Sequence, residues 1–306
     1  MSVEALRTCA VIGAGMTGLV AADELQQAGL AVTVFEKSAA QGGRIATRHT
    51  PVALFNHGAP AIEGSDPEFV VFLKELGAVT DEDGCFRKTP SMRSLFDGMT
   101  RRLRVRWRIE VRGIEQGATG WNILSAAGGR HGPFDAVVVT VPAPQAARVI
   151  DGSKPAMSER LASVEMEPAL TGLMSFSVPI RLPQPGGGGR AVACAPTAAG
   201  EARAWVVHMG REWSETYLEN DRPLIAALMR EDIEREAGER LPETVHLDAH
   251  RWRFARAAKP LGAPCLSSPE TGLWAGGDWA LGRTGEAAWR SGRAMAREIV
   301  GVLADA

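Results

Sequence analysis

The chain has 306 residues, of which 45% are hydrophobic, 23% charged and 6% aromatic, as is typical of globular proteins. Its 34 basic and 36 acidic residues give a formal net charge of −2, which argues against a dedicated nucleic-acid-binding protein because such proteins are usually strongly basic. The length predicts two domains or one large one.

The uncharged stretch 8–22 is the only N-terminal segment that resembles a signal or membrane sequence. It is shorter than the roughly 20 apolar residues that a membrane span needs, and glycines interrupt it, so we expect no membrane partner. The cysteines are far apart and form no CxxC motif, which predicts neither a zinc site nor a disulfide scaffold and favours a cytoplasmic location. They are Cys9, Cys85, Cys194 and Cys265.

A strand–helix–strand unit opens the chain. The apolar run 9–12 predicts a buried strand, apolar residues at helical spacing follow as far as Gly29, and 31–35 predicts a second strand that ends at Glu36. The turn before the helix has the G-x-G-x-x-G spacing of dinucleotide-binding proteins. Its residues, all candidates for cofactor binding, are Gly13, Gly15, Met16, Thr17 and Gly18.

The residue types of this unit suit a dinucleotide. Gly13 permits a tight turn, Gly15 lets the backbone approach a pyrophosphate, and Gly18 lets the helix pack close to the sheet. The helix N-terminus offers free N–H groups to the phosphates. Glu36 would accept hydrogen bonds from a ribose diol, which favours NAD or the ADP half of FAD over NADP. The alternative is a turn of the same shape without a ligand.

The segment after the second strand distinguishes FAD from NAD. The pattern Glu36-Lys37 followed by Gly42-Gly43-Arg44 resembles the flavin-containing amine oxidase superfamily, in which a G-G-R segment wraps the FAD pyrophosphate. The resemblance implies cofactor contacts from Lys37, Gly43 and Arg44. Paired glycines allow close backbone approach, and a guanidinium suits a diphosphate. The alternative for Arg44 is a solvated surface arginine.

The segment 55–59 (FNHGA) is similar to the FDHGAQ stretch of the renalase-like branch of this superfamily. There the loop lies along the isoalloxazine ring, and the resemblance implies flavin contacts from His57, Gly58 and Ala59. This sequence departs from the pattern at Asn56 and Pro60, which replace an aspartate and a glutamine. A structural histidine is the alternative for His57.

Alternating apolar and charged residues from 103 to 115 predict one strand with a solvated arginine face rather than a phosphate-binding patch. In the resembled family a strand here ends beside the adenine, and Val111 is the match. Two further β segments, 120–126 and 136–141, predict a three-stranded meander, and 135–144 resembles the family's returning parallel strand.

The resemblance is absent from 156 to about 250. The pattern there predicts strands at 170–180, 204–209 and 244–254, and a helix at 223–237. The predicted buried side of that helix consists of Leu224, Ile225, Leu228 and Ile233. His246 and His250 lie in a predicted strand without a third ligand, so we expect no metal site.

The C-terminal region contains an apolar strand, 271–278, and a following helix. It resembles the family's GD…EGA signature, in which the aspartate binds the ribityl and pyrophosphate region and the helix start faces the flavin N1/O2 edge. A helix N-terminus would stabilise the negative charge of reduced flavin. The resemblance implies cofactor contacts from Gly277, Asp278, Glu286 and Ala287. A helix N-cap is the alternative for Asp278.

Together these patterns predict an α/β fold. We expect a Rossmann-like FAD-binding domain with a parallel central sheet and a three-stranded meander, and a smaller α+β substrate domain on an antiparallel sheet. The expected FAD-binding segments are 1–60, 91–155 and 251–306, and the expected substrate segments are 61–90 and 156–250.

The resemblance implies an FAD-dependent oxidoreductase that takes a hydride from a small-molecule donor onto flavin N5, with dioxygen as acceptor. No cysteine lies in the C-terminal flavin segment, so we expect non-covalent FAD. Amine oxidases of this superfamily use an aromatic cage and often a lysine. The chain has one tyrosine and no lysine near Thr171, which favours a renalase-like activity on a dihydronicotinamide over an amine oxidase activity.

The sequence leaves the catalytic residues and the oligomeric state open. Two other functions also stay open: an NAD-binding dehydrogenase or reductase, and a flavin-binding protein without turnover.

Overall fold

The computed structural model describes residues 7–195 and 200–304. The outer ends of the expected FAD-binding segments, 1–6 and 305–306, and residues 196–199 of the expected substrate segment lie outside the described residues.

The secondary structure follows in chain order. The strands are β1 (Thr8–Ile12), β2 (Ala31–Glu36), β3 (Arg48–His49), β4 (Leu54–Phe55), β5 (Val79–Thr80), β6 (Phe86–Arg87), β7 (Arg104–Trp107), β8 (Val111–Gly117), β9 (Gly120–Ser125), β10 (Arg130–Phe134), β11 (Ala136–Val139), β12 (Glu165–Ile180), β13 (Arg190–Cys194), β14 (Ala202–His208), β15 (Thr244–Lys259), β16 (Leu266–Ser268) and β17 (Leu273–Ala275). The α-helices are α1 (Met16–Gln27), α2 (Pro67–Glu75), α3 (Asp97–Arg102), α4 (Ala143–Ile150), α5 (Pro155–Ala162), α6 (Arg211–Thr216), α7 (Arg222–Ala237), α8 (Asp278–Leu281) and α9 (Gly285–Ala304), and short 3-10 helices span Met92–Phe96 and Pro269–Thr271.

The central sheet has the order β16-β17-β11-β1-β2-β7, with β16 antiparallel to its neighbour and the other pairings parallel. Residues 137–139 of β11 are completely buried, as expected of a strand covered on both faces. The helices α1 and α9 pack in one hydrophobic core, so both ends of the described chain support the same sheet. The predicted α/β class and Rossmann-like unit are confirmed.

The single strand predicted from 103 to 115 is wrong. Arg108 adopts a left-handed conformation with φ of 60°, which is uncommon for a residue other than glycine. Its N–H donates to the Ser38 carbonyl, and the chain turns there. As a result β7 completes the parallel sheet, while β8 enters a separate antiparallel sheet.

The meander contains a strand, β10, that was not predicted from the sequence. Its order is β10-β9-β8, whereas the segment 136–141 predicted as its third member contributes β11 to the parallel sheet. The strand β10 includes Gly132 and Pro133, residue types that are uncommon inside strands. The sequence pattern therefore did not predict a strand there.

The third main layer is an antiparallel sheet of order β13-β14-β12-β15. The predicted strands 170–180 and 244–254 lie within β12 and β15, which both extend further, and β13 was not predicted. One face packs against α7, and the other contributes Leu173 and Val206 to a small core with Phe55.

The buried side predicted for α7 is partly wrong. Leu224 is 47% exposed, and Leu228 is only half-buried. The helix instead turns a neighbouring line of side chains toward the sheet, because these residues share the face that meets β12 and β15. Its buried residues are Ile225, Ala226, Met229 and Ile233.

The segment 61–90 supplies Ile62, Phe69 and Leu73 to the core that also holds α1 and α9. The expected division into an FAD-binding domain and a substrate domain stays a prediction. In the described part of the chain, the helices lack the combination of length and apolar character that crossing a membrane requires.

Candidate cofactor and substrate site

The glycine turn at the start of α1 is shaped by close backbone contacts. Gly13 has a φ of 109°, and a Cβ on Gly18 would lie 2.0 Å from the Gly13 carbonyl oxygen. A Cβ on Gly15 would meet no atom within 4 Å. The first and third glycines are thus required by the turn itself, whereas the second borders open space.

The predicted G-G-R segment lies beside this open space. Gly42 donates its N–H to the Ala14 carbonyl oxygen at 2.9 Å, and a Cβ on Gly43 would lie 3.4 Å from the Gly15 Cα. Because neither Gly15 nor Gly43 has a side chain, the two backbones approach closely and border the open space beside Gly15. We call this space the Gly15–Gly43 groove. The lack of side chains at both positions allows the close backbone approach that an extended diphosphate needs.

The N-terminus of α1 opens onto this groove. Gly15 precedes the helix, and no side chain caps the first-turn N–H groups. Met16 and Thr17, both predicted cofactor residues, are buried. Uncapped N–H groups at a helix start form a ready anion-binding site.

Glu36 ends β2 next to the glycine turn and is 8% exposed. Its carboxylate accepts hydrogen bonds from the Ala14 N–H at 2.8 Å and the Ser38 N–H at 2.7 Å. A carboxylate has about four lone-pair positions, so these bonds leave acceptor capacity for a ribose. Lys37 is exposed.

Arg44 and Asp278 join the two ends of the chain. Arg44 Nη1 donates to Asp278 Oδ2 at 2.8 Å and Nη2 to Oδ1 at 2.5 Å, while Nη1 also donates to the Ala255 carbonyl. The Asp278 side chain is 7% exposed and that of Arg44 30%. Arg44 is therefore not a freely solvated surface arginine. Asp278 is the first residue of α8 and makes no capping bond, so the N-cap alternative is wrong.

The start of α9 is tied to α2. Glu286 Oε2 accepts the N–H groups of Ser65 and Asp66 at 2.7 and 3.0 Å, and these backbone bonds lower its pKa. The Ala287 N–H donates to the Thr284 hydroxyl at 3.1 Å. The Glu286 carboxylate thus holds the beginning of α2, and its expected role toward the flavin stays a prediction.

The loop 57–59 lies against the G-G-R segment. The Ala59 N–H donates to the Arg44 carbonyl at 2.7 Å, and a Cβ on Gly58 would lie 2.2 Å from the same oxygen. Asn56, a departure from the family pattern, accepts from Thr47 Oγ1 at 2.6 Å. The fold brings these two predicted segments together. Val111 lies half-buried at the start of β8, and Gly277 precedes α8 and donates its N–H to Ser291 Oγ.

A cluster of rings surrounds His57. Its ring centroid lies 4.7 Å from that of His250 and 5.3 Å from that of Trp252, and the Trp252 Nε1–H donates to the His57 carbonyl at 3.1 Å. Burial is the main cause that lowers the pKa of His57 to about 4 and that of His250 to about 3. Both rings are therefore neutral at pH 7.

The place of His250 in this cluster was not predicted, since the sequence suggested for it only the role of a metal ligand. The available signal was the alternation along β15, which places His246, Asp248, His250 and Trp252 on one face. His246 stacks on Phe55, with centroids 5.4 Å apart. Across residues 7–195 and 200–304, no set of three or more His, Cys, Asp or Glu side chains is grouped to hold a metal.

Two models of known protein families match this chain, over consecutive segments. A model described as an NAD(P)-binding Rossmann-like domain matches residues 11–76, and one described as flavin containing amine oxidoreductase matches residues 89–300, more than half of the chain.

Curated relatives match over shorter segments. A lycopene-forming phytoene desaturase of Paracoccus sp. is 43% identical over 79 residues, which are 26% of this chain and 15% of that protein. Protoporphyrinogen oxidase 2 of Arabidopsis thaliana is 38% identical over 68 residues, 22% of this chain and 13% of that protein. The matched segments thus span only a small part of these relatives.

Solved structures match over nearly the whole chain. An Exiguobacterium protein described as a protoporphyrinogen oxidase has a TM-score of 0.71 at 13% identity, covering 96% of this chain and 98% of that one. Wild-type putrescine oxidase bound to putrescine has a TM-score of 0.69 at 14% identity, covering 97% and 99%. At such identities the likeness shows a shared fold.

Proposed function

Because the chain belongs to the flavin containing amine oxidoreductase family, we propose that it is an FAD-dependent oxidase of the renalase-like branch. Its proposed reaction removes a hydride from a small-molecule donor, a dihydronicotinamide or an amine, with dioxygen as the final acceptor. Curated relatives that are named oxidases support an oxidoreductase. The free state of its cysteines suits the proposed cytoplasmic location.

The Gly15–Gly43 groove is the observation that carries this proposal. It lies between the uncapped start of α1 and the G-G-R segment, with the Glu36 carboxylate at one end of the glycine turn. An NAD-binding Rossmann unit needs the uncapped start of α1 but does not need the G-G-R segment. The residues that would hold the diphosphate and ribose are Gly13, Gly15, Met16, Thr17, Gly18, Glu36 and Gly43.

The Arg44–Asp278 pair and the loop 57–59 would lie toward the flavin half. When bound, FAD would supply the hydride acceptor. The protein's own contribution is to position the donor: the backbone bonds of Ala59 fix the loop, and His250 and Trp252 fix the ring of His57. Since His57 is neutral at pH 7, it can donate or accept a hydrogen bond without adding charge. Non-covalent attachment is part of the proposal.

An absorbance spectrum of the purified protein tests the cofactor. We expect oxidised-flavin bands, and release of intact FAD on denaturation would support non-covalent attachment. A folded, colourless protein that takes up NAD but not FAD would instead indicate the dehydrogenase.

Anaerobic titration tests turnover. Bleaching of the flavin by a dihydronicotinamide, followed by recovery of colour in air, would support the oxidase. Flavin that no dihydronicotinamide or amine reduces would indicate a flavin-binding protein without turnover.

A further inference from the structure

A row of polar side chains crosses the antiparallel sheet on the face that carries His250. Strand register places Thr171 of β12 opposite both His250 of β15 and His208 of β14, and Arg190 of β13 is opposite His208. Directly opposite residues of antiparallel strands project to the same face. The row Arg190–His208–Thr171–His250 therefore lies on the side where His250 meets His57.

His208, within this row, has one ring nitrogen that makes no hydrogen bond among the described residues. Its Nδ1 lies 3.2 Å from Thr171 Oγ1, whereas its Nε2 is inaccessible to solvent and has no hydrogen-bond partner among the described residues. A buried polar atom without a partner is destabilising, so such atoms usually meet a water or a ligand. Burial, with Arg256 and Arg190 nearby, lowers the pKa of His208 to about 4, so the ring is neutral at pH 7.

The charged groups around the row favour a negative ligand. Asp248, two residues from His250 on β15, is paired with both Arg48 and Arg222. Two guanidinium groups and one carboxylate leave this group with a net positive charge. Arg48 also contacts His250, with Nη2 3.1 Å from Nδ1.

Two further arginines add to this charge. Arg190 and Arg256 have no ion pair within the part of the chain that the structure describes, and both disfavour a charge on His208. A protonated amine bound at the row would be repelled by these arginines. The nearby Asp248 could not offset this repulsion, because it is already paired with Arg48 and Arg222.

We propose that the electron donor carries an oxygen anion, a carboxylate or a phosphate, which binds at this row and accepts a hydrogen bond from His208 Nε2–H. With the Thr171 hydroxyl donating to Nδ1, the neutral imidazole carries its proton on Nε2, as this contact requires. His208 is thus a specificity-determining residue. The inference rests on the proposed function and selects, within it, an anionic donor over an amine.

Two probes of nearly equal shape and opposite charge test this assignment on the FAD-loaded protein. Benzoate and benzylammonium are titrated separately, and the dissociation constant is read from the shift of the flavin absorbance bands. We expect benzoate to bind and benzylammonium to bind at least tenfold more weakly. His208→Phe, which keeps a ring but removes the donor, should weaken benzoate binding by roughly tenfold or more.

The control variants separate recognition from structure. His208→Gln retains an N–H donor and should bind benzoate more tightly than His208→Phe. His131→Gln changes another imidazole with an unpartnered Nε2, in β10, and should leave benzoate binding unchanged.

Several results would overturn the anion site. These are benzylammonium binding as tightly as benzoate, no shift with either probe, or His208 variants that bind benzoate as the wild type does. A protein that takes up no FAD would refute the proposed function instead. Calorimetric titration of benzoate into that flavin-free protein would then test the row by itself: weaker binding to His208→Phe than to wild type would support it, and equal binding would overturn it.

Discussion

The proposed cofactor side and the proposed substrate side of this molecule are shaped by different parts of the chain. Around the Gly15–Gly43 groove, backbone approaches backbone so closely that Gly18 and Gly58 leave no room for a Cβ. Around His57, the surface is instead made of side chains from a loop and from β15, which is distant in sequence. The first arrangement depends on local motifs and the second on strand register. The motifs therefore identify a cofactor class but do not identify the donor.

Substitution of two neighbouring glycines tests how strictly the backbone determines the cofactor side. Gly18→Ala should destabilise the protein by about 3 kcal/mol, because the new methyl group meets the fixed Gly13 carbonyl. Gly15→Ala should change the free energy of unfolding by less than about 1 kcal/mol, yet weaken FAD binding by narrowing the groove. Urea unfolding of the flavin-free proteins and FAD titration measure the two effects. Equal destabilisation by both substitutions would contradict this view.

The Arg44–Asp278 pair is the place where side chains matter on the cofactor side. A double-mutant cycle with Arg44→Ala and Asp278→Ala should give a coupling free energy of about 2 kcal/mol, since either single change leaves a poorly solvated charge behind. The free energies of unfolding of the four proteins measure it. Additivity within about 0.5 kcal/mol would show that the pair contributes little.

Acid should affect the substrate side through its histidines. The pKa of His57 and of His208 falls from an ordinary 6.5 to about 4 in the folded protein. Between these values the unfolded chain binds protons that the native state does not, so stability should fall as the pH drops from 6.5 toward 4. Urea midpoints across this range measure the slope. His57→Gln should make it shallower, and an unchanged slope would count against a buried neutral ring.

The smallest effect is expected on the arginine face of β7. Arg104 and Arg106 are exposed, so replacing either with Gln should change the free energy of unfolding by less than about 0.5 kcal/mol and leave FAD binding unaltered. Thermal unfolding and FAD titration check both. A marked loss of FAD affinity would revive the phosphate-patch interpretation.

The same contrast explains what the sequence could predict. The unit from β1 to β2 and the strand before Gly277 were predicted because their signals are local. The division between β7 and β8 was missed, since it depends on the unusual conformation of Arg108. The contact of His250 with His57 was missed because only the pairing of β12 with β15 and the loop beside it brings these two rings together.

The Arg44–Asp278 contact also has a consequence for biosynthesis. Its partners are 234 positions apart, and α9, which packs in one core with α1, follows Asp278. A ribosome must therefore release the chain beyond Asp278 before Arg44 can find its partner. Chains terminated before Asp278 should lack this ion pair and α9, with the hydrophobic side of α1 left available to chaperones.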